Sequence, residues 1–68
     1  MIRVETTGLY HYEVAGENET AAAAELSRHL DLISRDYRHS ETYIREEIAQ
    51  LRQDIIDKYD VRITAVPG

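Results

Sequence analysis

With 68 residues, no cysteine and a net charge of −5, the chain is confined to one domain, residues 1–68, without a disulfide framework or thiolate metal site. A hydrophobic fraction of 43% argues against wholesale disorder. So short a chain buries only about 60% of its unfolded surface, however, and depends on tight packing or self-association.

Residues 2–14 read as two strands. Ile2 and Val4 alternate with Arg3 and Glu5, and Tyr10, Tyr12 and Val14 alternate with Leu9, His11 and Glu13. A two-residue loop at Thr7-Gly8 would set Val4 against His11 and mix apolar with polar. A three-residue loop at Thr6-Thr7-Gly8 pairs Val4 with Tyr10 and Ile2 with Tyr12, which gives one apolar face. Gly8 then takes the left-handed position that ends such loops. Residues 15–18 connect to a helix capped by Asn18 or Thr20, with Glu17 and Glu19 near its positive end.

Residues 20–59 contain no Gly, Pro or Cys. Leu26, Leu30, Ile33 and Tyr37 form one helical stripe; Ile44, Ile48, Leu51, Ile55 and Tyr59 form another. Residues 38–42 between them are polar throughout. A single helix of 40 residues would run roughly 60 Å, about three times the length of a six-residue strand. Two antiparallel helices with a turn at residues 38–41 are therefore preferred to one long interrupted helix, with Ser40 capping the second. Residues 60–66 alternate as a third strand before Pro67. The expected fold is α+β in the order ββααβ, with an antiparallel or mixed sheet covered on one face. Glu41–Arg45, Asp31–Arg35 and Asp54–Lys58 have the spacing of i,i+4 ion pairs.

Catalytic and metal chemistry find no footing in this pattern. His11, His29 and His39 are scattered, with no H-E-x-x-H motif, and no serine sits in a G-x-S-x-G elbow. Glu46 and Glu47 are adjacent on a helix and point about 100° apart, so they cannot share a proton. No enzyme activity, cofactor or metal is expected. Arg38, Arg45 and Arg52 recur every seven residues, but acidic neighbours and the −5 charge weigh against direct nucleic-acid contact. The longest apolar stretch, residues 21–24, is far too short to span a bilayer. The amino end also lacks the apolar core of a secretory signal, so the expected location is the cytoplasm.

Acidity concentrates between Glu13 and Glu25, where Glu13, Glu17, Glu19 and Glu25 meet no intervening base. All five aromatic residues are tyrosine, the aromatic that tolerates a half-wet interface. Tyr43 falls just off the Ile44 stripe, and His39 stands beside it at the proposed corner. These six residues, Glu13, Glu17, Glu19, Glu25, His39 and Tyr43, are the expected contacts to a protein partner with a basic surface. In size and charge the chain resembles the small acidic viral anti-defence proteins, anti-CRISPR inhibitors included. That resemblance implies an inhibitor covering a nucleic-acid-binding surface of a larger machine. The alternative is a structural homo-oligomer, such as a homodimer, assembled through the helical stripe or an exposed sheet edge.

Overall fold

The computed structural model describes residues 1–5, 10–35 and 38–67. Strands β1 (Ile2–Glu5) and β2 (His11–Ala15) lead into helices α1 (Glu19–Ser34) and α2 (Glu41–Tyr59), and β3 (Arg62–Ala65) follows. The sheet is antiparallel throughout, in the order β1-β2-β3. This is the expected ββααβ arrangement, with α1 packed on β1 and β2, and α2 packed on α1 and β3.

The strands keep the expected faces but not the expected register. Val4 pairs with Tyr12 and Ile2 with Val14, two residues further along β2 than a three-residue loop allows. A shift of two leaves every side chain on its face, so face matching alone cannot separate the two registers. Two other gains decide it. Val14, which is fully enclosed, acquires a β1 partner, and on the outer face Arg3 comes opposite Glu13 and Glu5 opposite His11. Residues 6–9, including the proposed left-handed Gly8, lie outside the described residues.

Helix α1 ends at Ser34 and α2 begins at Glu41, so residues 38–40 of the polar step precede α2 and Glu41 and Thr42 form its first turn. Ser40 caps α2 as expected: its Oγ accepts from the Tyr43 N–H at 3.2 Å. Asn18 occupies the N-cap position of α1 without capping it. Its Nδ2 instead donates to the Tyr59 carbonyl at 3.1 Å, which ties the start of α1 to the end of α2. Gly16 lies against the same junction at φ +144, and a β-carbon there would sit 3.1 Å from Val61 Cγ1. The β2–α1 and α2–β3 connections are thus packed on each other.

The core lies between the helix pair and one sheet face. Leu26, Leu30, Ile55 and Val14 are its largest fully enclosed side chains, joined by Val4, Tyr12, Ala22, Ala23, Ile48, Val61 and Ile63. The described members of both helical stripes are consumed here, with Ile33, Ile44, Leu51 and Tyr59 half-buried at the margin. Tyr37 lies outside the described residues. Arg52 also points inward. Its guanidinium stands 4.8 Å over the Tyr12 ring and donates to the Ile63 carbonyl at 3.2 Å, while its Nε is buried without a partner. Burial pushes the Tyr12 hydroxyl pKa up, and the Arg52 charge opposes the shift.

Helix α2 ends on Asp60 in the left-handed region (φ 53), its N–H bonded to the Ile56 carbonyl. A β-carbon is strained there, and a carboxylate is repelled by the negative end of the helix. Asp60→Gly removes both penalties and raises stability by about 1 kcal/mol, despite the added entropy of the unfolded chain. In a domain of this size the melting temperature rises by roughly 4–8 °C, which thermal denaturation followed by circular dichroism measures directly.

Candidate functional site

The four acids read as one patch in the sequence are dispersed by the fold. Glu13 lies on the outer face of the sheet between Arg3 and Thr64. Glu17 is exposed in the connector, and Glu19 Oε2 lies 2.7 Å from the Met1 amino group. Glu25, on α1, faces the other helix. Its Oε1 accepts from Lys58 Nζ at 3.0 Å and from the Tyr59 hydroxyl at 3.2 Å, and its side chain is only 19% exposed. This network fastens α1 to α2. Lys58 is accordingly bound to Glu25 and not to Asp54, whereas Glu41–Arg45 (2.7 Å) and Asp31–Arg35 (3.3 Å) form as their spacing implies. The interhelical choice wins because one carboxylate there is already oriented by the Tyr59 hydroxyl.

His39 and Tyr43 do come together. Their rings stack with centroids 4.1 Å apart and planes 24° from parallel, and both side chains are exposed at the head of α2.

The acidity that the sequence does not single out lies along α2. Glu46, Glu47 and Asp54 line a groove of about 310 Å³ between the helices, with His29, Ile33 and Leu51 on its walls and Tyr43 at one end. Asp57 continues the row one turn further on. Asp54 accepts from Gln50 at 2.9 Å and Asp57 from Gln53 at 3.0 Å, so their only side-chain partners among the described residues are neutral amides. The bases of α2 are engaged elsewhere: Arg45 with Glu41, the half-buried Arg52 with the Ile63 carbonyl and the Tyr12 ring, and Lys58 with Glu25. The seven-residue spacing of arginines therefore makes no basic stripe, since Arg52 turns away from it. The 3-4-3 spacing of Glu47, Gln50, Asp54 and Asp57 is the sequence signal for this face.

No family model, curated protein or solved structure matches this chain. Its function must therefore be read from its own surface. Among the described residues no group of three His, Asp or Glu side chains is placed to hold a metal ion, and no helix is long and apolar enough to cross a membrane.

The hydrogen bond from Lys58 holds the Glu25 carboxyl below the ordinary glutamate range, and the same contact raises the Lys58 ammonium. A lowered carboxyl pKa gives stability that is complete above the unfolded value and is lost as pH falls through the folded one. The raised ammonium contributes below its own unfolded value and loses that contribution as pH rises through the folded one. In Lys58→Met, the Glu25 carboxyl titrates closer to the ordinary glutamate range, and the acid-side fall in melting temperature attributable to Glu25 shrinks. Side-chain NMR titration of Glu25 and melting curves across the acid range check both outcomes.

Proposed function

We propose that the chain is a non-catalytic binding module: a small acidic inhibitor or regulator that covers a basic surface, such as the nucleic-acid-binding face of a larger protein. The observation that carries this reading is the acidic row of α2: Glu46, Glu47 and Asp54 line a groove with no Lys or Arg among its described lining residues, and Asp57 continues the row one turn further on. Carboxylates gathered on one face of a chain with net charge −5 attract a basic partner and repel nucleic acid. Ile33 and Leu51 in the groove, with Tyr43 at its end, add the apolar and aromatic contact on which interface affinity depends. Small viral anti-defence proteins, which this chain resembles in size and charge, act in this style. Of the residues first singled out, Tyr43 and His39 adjoin this surface, whereas Glu25 belongs to the helix–helix contact.

The test is affinity capture from the native host with three baits: the wild type; a quadruple variant Glu46→Gln, Glu47→Gln, Asp54→Asn, Asp57→Asn; and the quadruple variant Glu13→Gln, Glu17→Gln, Glu19→Gln, Glu25→Gln. A basic protein held by the wild type at low salt is released by moderate salt, and its affinity for the α2 variant falls at least about tenfold. The N-terminal variant loses less binding than the α2 variant under conditions where it stays folded. Unchanged capture by the α2 variant at both salt concentrations overturns the reading.

A further inference from the structure

The two edges of the sheet differ. In an antiparallel ladder the N–H and C=O groups of successive residues point to alternate sides. The Val66 N–H donates to the His11 carbonyl at 2.8 Å, so residues 11, 13 and 15 of β2 bond toward β3, and Tyr12 and Val14 bond toward β1. Their partners are Val4 and Ile2, which leaves the main-chain groups of Arg3 and Glu5 directed away from the sheet. At the far edge the same alternation turns the Ile63 carbonyl outward, where Arg52 caps it, and Pro67 follows the strand. The β3 edge is thereby blunted. Beside β1 lies instead a trough of about 420 Å³, whose helical wall is Thr20, Ala23, Ala24 and Ser27, with no side chain longer than threonine.

We infer that β1 is the seam of a two-fold dimer, in which it pairs antiparallel with β1 of a second copy with Val4 on the axis. The charge pattern selects both the occupant and the register. The outward main-chain groups belong to residues 3 and 5, so the ladder must be built from these. An axis at Arg3 would oppose Arg3 to Arg3, and one at Glu5 would oppose Glu5 to Glu5, both repulsive. An axis at Val4 sets Arg3 of each copy opposite Glu5 of the other in reciprocal hydrogen-bonded pairs. The two Val4 residues then form the non-hydrogen-bonded pair, where side chains come closest. Arg3 and Glu5 already lie 3.3 Å apart within the strand, with side chains 57% and 50% exposed, so each is available to exchange its partner across the axis. The sequence Arg3-Val4-Glu5 is thus complementary to itself, a property that a second copy carries by construction. The short side chains of the trough let α1 of the second copy approach as the two sheets join. The seam lies on the β1 side, apart from the outer face of α2, so its failure would leave the proposed binding surface standing.

Sedimentation velocity of the full chain from micromolar to millimolar concentration provides the test. The wild type shifts with concentration to twice the monomer mass. Arg3→Pro deletes an outward N–H but no β1–β2 hydrogen bond, and it stays monomeric with an unchanged circular dichroism spectrum. Arg3→Glu and Glu5→Arg are each monomeric alone, and their equimolar mixture returns to the dimer mass because every acid of one copy then faces an arginine of the other. A wild type that stays monomeric to millimolar concentration overturns the inference, even where an added foreign peptide binds along β1. So does an Arg3→Pro chain that dimerises like the wild type, or a mixture of the two charge variants that remains monomeric.

Discussion

Helix α2 has to fold back on α1 because the sheet is small. Strands of four or five residues cannot cover a 40-residue helix, whereas two helices of 16 and 19 residues lie over the sheet and bury both stripes against it. The remaining structure follows from holding that fold-back in place with a core of eleven buried side chains among the described residues. Polar groups reinforce the closure at its open end, where Asn18 bonds the last carbonyl of α2 and Glu25 receives Lys58 and Tyr59. Arg52 is drawn in as well, its guanidinium standing over the Tyr12 ring and donating to the Ile63 carbonyl.

This use of polar residues shapes the surface. The bases of α2 have structural tasks, and on its acidic side Asp54 and Asp57 are paired with glutamine. A chain whose carboxyl-terminal 43 residues carry eight acids and seven bases is nearly neutral there on paper, yet one face of one helix is strongly acidic. Net charge by segment therefore misplaces the field of the molecule, because a base that closes the core or bridges two helices no longer screens its neighbours in sequence.

The architecture was legible wherever it rests on local periodicity. The alternation of Ile2 and Val4, the two helical stripes, the Ser40 cap and the 41–45 and 31–35 ion pairs all follow from spacing alone. Features that depend on distant partners were not legible. The hairpin register turns on whether Val14 and Glu13 find β1 partners, and two registers with the same faces look alike in sequence. Lys58 has a local acid at i−4 and takes a remote one; Asn18 has its own helix to cap and bonds the end of another. The candidate site shows the same division, since the Tyr43–His39 corner was readable from the stripe, and the fate of Glu25 was not.

The proposed recognition surface is the acidic face of α2. It is tested most directly by mapping amide chemical shifts of the labelled chain during titration with a short polyarginine peptide at low salt. Saturable shifts are expected, concentrated on residues 43–57 of α2 and on His29 and Ile33 across the groove, all reversed by added salt. Shifts confined to residues 13–19 would contradict it, as would the absence of any localised response.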